Sequence, residues 1–262
     1  MKQLLLLQII LLCSSCAQSQ TEAIKQQKDT TAQYDIGTVY FSSILQRCIV
    51  DSNSSHFLVD YNQLRDSIQR KRMEYVQSYA RTDSLYKKDR VLDSTSYFLQ
   101  NALVKNIFPY WYGTQWDFNG ITETPQKGFI ACGYFVSTTL KHAGFNLNRY
   151  RLAQQYSHSI VKTLCSDLQR FTVLTSMLIF IKDRPDQLYI VGLDNHVGFI
   201  YKENSSIYFI HSSFVSPGYV VSEKAEDSSV LTYSNVYILG SLTYNKSILK
   251  KWLKNEAIQI IP

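Results

Sequence analysis

The amino-acid sequence predicts an α+β fold in which helices come first and a largely antiparallel sheet follows. Between residues 34 and 106, apolar side chains such as Leu64, Ile68 and Tyr75 recur at intervals near 3.6 residues, the period of a helix. Beyond Thr172 the chain consists of short segments rich in β-branched and aromatic residues, which are typical of strands. Helices that precede strands, rather than alternating with them, distinguish this class from folds with a parallel sheet.

The first 15 residues predict a secretory signal. A basic start precedes an apolar stretch over residues 4 to 12, and two serines stand directly before Cys16. Small residues before a cysteine resemble the lipobox of bacterial lipoproteins, in which the cysteine sulfur receives a diacylglycerol group and becomes the mature N-terminus. We therefore expect a signal peptide over residues 1–15 and lipidation of Cys16, with Cys13 standing where Leu, Val or Ile is usual.

The rest of the chain divides into a linker and one folded domain. Residues 16–33 hold almost no large apolar side chains, so we expect a flexible linker there. Residues 34–262 form the predicted domain, with a helical N-terminal part over residues 34–105. The sequence has no second apolar stretch that could cross a bilayer. The lipid is therefore the expected attachment, in the bacterial cell envelope and facing the periplasm or the cell exterior.

Local signals predict where individual helices begin and end. Asp93 or Ser94 is a suitable cap for a helix that Pro109 ends. After a loop rich in Gly, Thr and Pro, a second helix is expected over residues 132–143, because Gly144 stands in the usual stop position.

Beyond a third helix, expected over residues 152–168, the sequence predicts a sheet. The five expected strands cover residues 177–181, 188–193, 196–201, 207–212 and 236–242. The turn-forming residues 203–206 separate the third strand from the fourth and predict a hairpin, so the sheet should be largely antiparallel. We expect one face of this sheet to pack on the helix that begins at Cys132.

Composition and charge exclude several classes of protein. The chain has 262 residues, and its 45% hydrophobic and 18% charged content is globular rather than disordered. Without Lys2 of the signal, 26 basic minus 21 acidic residues leave a charge of +5. The basic residues are scattered, and the short run at residues 70–72 is typical of a solvated helix face. We therefore expect no nucleic-acid partner, and we expect a monomer.

The folded domain holds an odd number of cysteines. Cys48, Cys132 and Cys165 lie beyond the leader, so at least one thiol is unpaired in an oxidising compartment. An unpaired thiol there is either buried and inert or used in a reaction. Cys48 and Cys165 have no histidine motif beside them, so we predict that they are packing residues.

Cys132 has the sequence setting of a nucleophile. It follows the loop at residues 124–128 and opens an apolar helix, whose positive end is expected to lower the pKa of the thiol. The same helix end offers unpaired backbone amides to a developing oxyanion.

Histidines on the predicted hairpin supply the candidate base. His196 begins one strand, and His211 on the next strand is close enough to hydrogen-bond its imidazole. Asp194 or Asn195 is an alternative orienting group, or only part of the turn before the strand.

Four segments carry these candidates in a definite order. They are residues 109–114 (PYWYGT), 131–136 (ACGYFV), 196–201 (HVGFIY) and 209–212 (FIHS). This order resembles the NlpC-type cell-wall cysteine peptidases, a branch of the papain-like fold, over residues 107 to 215. The resemblance implies that Cys132 is the nucleophile, His196 the general base, His211 its orienting partner and Tyr110 a candidate oxyanion donor. It implies no cofactor.

Departures from that family bear on the substrate. Ala131 and Gly133 stand where the family usually has Asp and Ser, and Thr114 replaces a second Gly. Because such flanking groups help to bind the substrate, the family's preference for a γ-D-glutamyl bond is not carried over. The predicted function is hydrolysis of an amide bond in a cell-wall (peptidoglycan) peptide or a related amide substrate.

Three alternatives remain open from the sequence. One is a non-catalytic envelope lipoprotein of the same fold that binds cell-wall peptide or another protein. Another is a related enzyme acting on a different amide or an ester. The third is a zinc site formed by Cys132, His196 and His211, although the close paired spacing of metal ligands is missing.

Overall fold

The computed structural model describes residues 56 to 261. The predicted signal peptide, Cys16, the linker and Cys48 lie outside these residues, as does the first part of the predicted helical region. The described residues form helices and an antiparallel sheet, which confirms the α+β class. Among the helices of this part of the chain, none has the length and apolar character that a bilayer span requires.

Two long helices begin the described part. Helix α1 is Phe57–Ala80 and helix α2 is Leu85–Asn101. The predicted start at Asp93 or Ser94 is wrong, because the extended residue Ser84 directly precedes α2 and the later serine lies inside it. The hydroxyl of Ser94 donates to the carbonyl one turn earlier at 3.0 Å, which satisfies it within the helix.

Pro109 does not end the helical structure, contrary to the prediction. Helix α2 continues as the π-helix Ala102–Ile107 and then as the short helix α3, Phe108–Trp111. Pro109 falls in the first turn of α3, where a missing N–H removes no bond within the helix. The π turn directly before it interrupts the regular ladder of hydrogen bonds, which is how a helix accommodates such a residue.

The helix predicted after the Gly-rich loop is present. Helix α4 is Cys132–His142, and the extended residue Ala131 precedes it. The chain leaves the helix through Gly144, whose φ of 92° is favourable for glycine.

Two helices and a strand replace the single helix predicted over residues 152–168. They are α5 (Arg149–Ala153), α6 (Ser157–Leu164) and β1 (Ser166–Phe171). Tyr156 interrupts the helical path with an extended ψ of 148°. The hydroxyl of Ser157 then donates to the carbonyl of Leu193 at 2.5 Å, so a tertiary contact rather than local propensity fixes this break.

Every strand pair in the described sheet is antiparallel. Besides β1, the strands are β2 (Leu188–Gly192), β3 (Val197–Glu203), β4 (Ser206–Ser212), β5 (Val220–Lys224) and β6 (Tyr237–Ser241). Their order is β1-β6-β2-β3-β4-β5. The predicted hairpin is confirmed, since Glu203 pairs with Ser206 across a turn in which Asn204 has a positive φ. The sequence predicts neither β1 nor β5.

The segment predicted as a strand over residues 177–181 is helical. It belongs to α7, Leu174–Lys182, in which Met177, Leu178 and Ile181 are buried. This spacing forms one face of a helix, whereas a short apolar run by itself fits a strand equally well. The remaining helical segments are a 3-10 turn (Ala225–Asp227), α8 (Ser229–Thr232) and α9 (Lys246–Lys254).

Apolar side chains cover both faces of the sheet. On one face, the ring of Phe135 in α4 lies 5.9 Å from that of Phe199 in β3, measured between centroids, and both are fully buried. This contact confirms that the sheet packs on the helix of Cys132. On the other face, Met177 from α7 and Leu231 from α8 share an apolar cluster with Phe209 of β4. Packing therefore fixes the start of α4 relative to the strands.

Candidate active site

Cys132 is the first residue of α4, and hydrogen bonds hold the backbone just before it. The amide of Ala131 donates to the carbonyl of Gly120 at 2.8 Å. The hydroxyl of Ser212, at the end of β4, donates to the carbonyl of Ile130 at 2.7 Å. The loop that delivers the nucleophile is thus attached to the sheet.

The thiol of Cys132 lies beside the start of β3. The backbone amides of Val197 and Gly133 lie close enough to the thiol to favour its ionised form. Val197 directly follows His196 in the chain. The structure therefore brings the predicted nucleophile to the strand end that carries the predicted base, although 64 residues separate them in the sequence.

Burial raises the pKa of the Cys132 thiol, and the hydrogen bonds from backbone amides only partly oppose this effect. The lowered pKa expected from the helix end is therefore wrong for the resting site, because loss of solvent outweighs the favourable amides. A protonated thiol is a weak nucleophile, so chemistry at Cys132 requires a base.

Gly133 makes room for the helix segment that follows α4. A Cβ atom at this position would lie 2.4 Å from the carbonyl oxygen of Ala153, closer than any side chain allows. A serine, like any residue with a Cβ atom, would clash with this backbone. Close packing of α4 against α5 therefore requires glycine at position 133.

His196 and His211 are hydrogen-bonded, as the hairpin predicts. Nε2 of His196 lies 2.9 Å from Nδ1 of His211, and the two rings are nearly perpendicular. Both side chains are buried, with 4% and 0% of their surface exposed. This bond occupies Nε2 of His196, and within the described residues Nδ1 makes no hydrogen bond to the Cys132 thiol.

The position of His211 depends on its neighbours in the sheet. Its ring stacks on Phe209 at a centroid distance of 4.0 Å. Across the hairpin stands Gly198, where a Cβ atom would lie 2.9 Å from the Cβ of His211 and 2.6 Å from the ring of Phe209. A glycine in the motif HVGFIY thus allows the imidazole to pack against the adjacent strand.

Glu223 extends the hydrogen-bonded pair of His196 and His211, and the sequence does not predict this role. Its Oε1 lies 3.2 Å from Nε2 of His211. Residue 223 faces Phe209 across the β4–β5 ladder, so its side chain is diagonal to His211 on the same face of the sheet. The sequence signal for Glu223 is a carboxylate within the segment 220–224, which contains β-branched residues. Had this segment been predicted as a strand, Glu223 would have been placed beside the strand of His211.

The ionisation of these groups follows from their surroundings. Burial, and next the neighbouring His211, lower the pKa of His196 well below its usual value. Burial likewise lowers the pKa of His211, although Glu223 opposes it. Burial alone would raise the pKa of Glu223, but hydrogen bonds from His211 and Ser228 outweigh it and the pKa falls. At neutral pH the histidines are therefore uncharged and the carboxylate is ionised.

Asp194 has a structural task rather than an orienting one. Its Oδ2 accepts a hydrogen bond from the amide of Asn235 at 2.7 Å, which ties the turn before β3 to the segment before β6. Of the alternatives left open from the sequence, His211 is the group that contacts the imidazole of His196.

Phe214 covers the outer side of His196. The two ring centroids lie 5.3 Å apart, and the ring centroid of Trp116 lies 6.2 Å from that of Phe214. The side chain of Phe214 is 46% exposed, so one surface meets solvent while the other shields the imidazole. An apolar cover of this kind keeps water from competing for the hydrogen bonds of a buried base.

Tyr110 packs on helix α1. Its ring lies 5.2 Å from that of Phe57 and 4.9 Å from that of Tyr61, and burial raises the pKa of its hydroxyl. Its carbonyl accepts a hydrogen bond from Nε2 of Gln126, in the loop that leads to Cys132, at 3.1 Å. The oxyanion role of the Tyr110 hydroxyl stays a prediction.

Cys165 is buried, and burial raises the pKa of its thiol far above the usual value. This environment agrees with the packing role predicted for it. Within residues 56–261, no group of three or more His, Cys, Asp or Glu side chains could hold a metal ion. The zinc alternative therefore has no support in the part of the chain that the structure describes.

Comparisons with protein families, with curated proteins and with solved structures find no match to this chain. Its function is therefore inferred from the chemistry of Cys132, the two histidines and Glu223.

Proposed function

We propose that this chain is a cysteine hydrolase, a peptidase or amidase, that cleaves an amide bond in a cell-wall peptide through an acyl-enzyme. We assign it, by the resemblance of its motifs, to the NlpC type of papain-like fold. The observation that carries the proposal is the buried hydrogen bond of 2.9 Å between His196 and His211, at the strand end whose backbone amide reaches the Cys132 thiol. A nucleophile, a base and a group that orients the base are the minimal set for such chemistry.

In the first half-reaction, Nδ1 of His196 takes the thiol proton while Sγ of Cys132 attacks the amide carbonyl. The negative charge moves to the carbonyl oxygen, where the backbone amide of Cys132 and, as predicted, the hydroxyl of Tyr110 donate hydrogen bonds. The imidazolium of His196 then gives its proton to the leaving nitrogen as the carbon–nitrogen bond breaks. An amine departs and a thioester remains on Cys132.

In the second half-reaction, water replaces the amine. His196 takes a proton from the water, the hydroxide attacks the thioester carbonyl, and the carbon–sulfur bond breaks. The thiolate of Cys132 recovers the proton, and the carboxylic acid leaves. This sequence uses only groups of the chain and water, so the proposal includes no cofactor.

The proposed location follows from the leader and not from the folded part. Lipidation of Cys16 would attach the enzyme to the bacterial envelope through a lipid alone, facing the periplasm or the cell exterior. There the hydrolase would meet peptidoglycan peptides as a monomer. Because Ala131 and Gly133 replace the family's Asp and Ser, the proposal does not include the γ-D-glutamyl preference.

The test is mass spectrometry of purified sacculi after incubation with the full-length chain, beside Cys132→Ala. We expect new peptide fragments with the wild type and at least about a thousand-fold fewer with the variant, because loss of a nucleophile removes the covalent route. His196→Ala should behave like Cys132→Ala, whereas His158→Ala, an exposed histidine, should retain full activity. Absence of fragments from folded wild type would instead favour a binding lipoprotein or a different amide or ester substrate.

A further inference from the structure

Four side chains form a continuous line of hydrogen bonds away from the thiol. Nε2 of His196 meets Nδ1 of His211 at 2.9 Å, and Nε2 of His211 meets Oε1 of Glu223 at 3.2 Å. Ser228, fully buried at the start of α8, donates to the same carboxylate and accepts from the amide of Leu231. Ser228, the cap of α8, therefore holds the carboxylate of Glu223 in place.

The ionised end of this line decides where every proton sits. A carboxylate only accepts hydrogen bonds, so Nε2 of His211 must carry its proton. In a neutral imidazole the other nitrogen is then bare, and Nδ1 of His211 must accept from Nε2 of His196. His196 in turn has its proton on Nε2 and a bare Nδ1. That lone pair is the one the proposed reaction needs opposite Cys132.

We propose that Glu223 is a positioning residue that fixes the tautomers of His211 and His196 and thereby keeps Nδ1 of His196 bare, as the proposed proton transfer from Cys132 requires. The inference rests on the role of His196 as base in the proposed function. Glu223 touches neither thiol nor substrate, and it acts only through the two histidines.

The carboxylate has a second consequence once the reaction begins. When His196 takes the thiol proton it becomes a cation, buried with 4% of its surface exposed. His211 accepts from it and is polarised by the negative charge on Glu223, so the line delivers electron density toward the cation. The titratable groups that act on the histidines in the described residues are members of the line, His211 on His196 and Glu223 on His211.

The first test measures the tautomers directly, by histidine ring nitrogen NMR on the full-length wild type. Both His196 and His211 should show protonated Nε2 and bare Nδ1 at pH 7. A protonated Nδ1 on His196 overturns the inference without any variant. In Glu223→Gln, the amide NH₂ can donate to His211 Nε2, which reverses the line, so we expect protonated Nδ1 to appear on both rings.

The second test is alkylation of Cys132 by iodoacetamide across pH 5 to 10, with the modified peptide quantified by mass spectrometry. We expect Glu223→Gln to react about ten-fold or more slowly at pH 7, since base assistance typically contributes factors of about 10² to 10⁴. Its pH profile should shift upward, because the thiol must then ionise unaided. Glu226→Gln, an exposed carboxylate three residues later with the same charge change, should follow the wild type.

The two proposals fail in different ways. Unchanged tautomers and an unchanged alkylation profile in folded Glu223→Gln overturn the role of Glu223, whatever the enzyme cleaves. In another outcome, the wild type and Glu223→Gln both show the expected tautomers, and the variant a shifted alkylation profile, while the wild type cleaves no sacculi. That result supports the role of Glu223 and overturns only the cell-wall substrate. Neither readout requires the substrate to be known.

Discussion

Two glycines allow close packing around the candidate catalytic residues. Gly133 leaves space for the carbonyl of Ala153 beside the first turn of α4, and Gly198 leaves space for His211 on the neighbouring strand. At both positions a Cβ atom would come within 3 Å of another heavy atom. The geometry of the site thus depends on residues that have no side chain and no chemistry of their own.

At this scale we predict that Gly198→Ala impairs the site without touching the thiol. The added methyl group must displace the ring of Phe209 or the Cβ of His211, which breaks the 2.9 Å hydrogen bond to His196. We expect iodoacetamide to modify Cys132 about ten-fold more slowly, with a stability loss of about 1–3 kcal/mol from overpacking.

The control for this glycine is Ser205→Ala, in the exposed turn of the same hairpin, which should leave both quantities unchanged. Chemical denaturation gives the stability, and modified peptide gives the reactivity. If Gly198→Ala reacts at the wild-type rate, the tight packing around His211 does not control the base.

Among the elements, Arg149 of α5 holds the loop that precedes α4. The guanidinium is buried, and its Nη2 donates to the backbone carbonyls of Ile121 and Thr122. Nε donates to the hydroxyl of Thr138 in α4 at 3.0 Å, and Nη1 lies 3.3 Å from Oε1 of Glu123. The side chain of Arg149 therefore connects α5, α4 and the loop that precedes Cys132.

We predict that Arg149→Met loosens this loop. Removal of the guanidinium leaves buried acceptors without a donor, which should cost about 3 kcal/mol in the free energy of unfolding. The loop should also open locally, so trypsin should cut after the exposed Lys127 faster than in the wild type. Arg151→Met, an exposed arginine on the same helix, is the matched control. Equal cleavage rates in the two variants would contradict the anchoring role of Arg149.

The sequence predicts those elements whose local signals agree with their tertiary surroundings. The helix after Cys132 follows a loop rich in Gly, Thr and Pro and is followed by a glycine stop, and the hairpin has a turn-forming tetrapeptide, so both predictions are confirmed. The run at residues 177–181 is too short to separate strand from helix, and packing on the sheet decides for the helix. Pro109 stands in the first turn of a new helical segment. The rule that a proline ends a helix cannot distinguish this position from a true helix end.

The site could be predicted as far as its members lie in recognisable motifs. His196 and His211 follow from the hairpin, and their contact is confirmed. Glu223 could not be found in this way, because its place depends on the pairing of β5 with β4, which no local pattern specifies. The raised pKa of Cys132 was also beyond reach, since burial is a property of the packed molecule.

At the scale of the whole molecule, buried neutral histidines link stability to pH. Beside the pair in the candidate site, His142 at the end of α4 is buried, and its Nδ1 lies 2.8 Å from the hydroxyl of Tyr61. That hydroxyl accepts from Nε1 of Trp111 at 2.8 Å, so its own proton is free to point at His142. Burial, assisted by nearby cationic side chains, lowers the pKa of His142 to about 3.

We predict that the protein loses stability as the pH falls below about 6.5, where histidines of the unfolded chain gain protons. The pKa of His142 is about 3 in the fold, and burial also lowers those of His196 and His211, so the unfolded state binds more protons. The contribution of these histidines to stability is complete above pH 6.5 and declines as the pH falls toward each folded pKa. For His142 alone, this contribution to the free energy of unfolding should fall by about 2 kcal/mol by pH 5. Urea midpoints measured from pH 7 to 4.5 test this. His142→Asn should reduce the slope by about 1.4 kcal/mol per pH unit, while the exposed-site variant His158→Asn should not. Equal slopes in both variants would mean that His142 is not neutral in the fold.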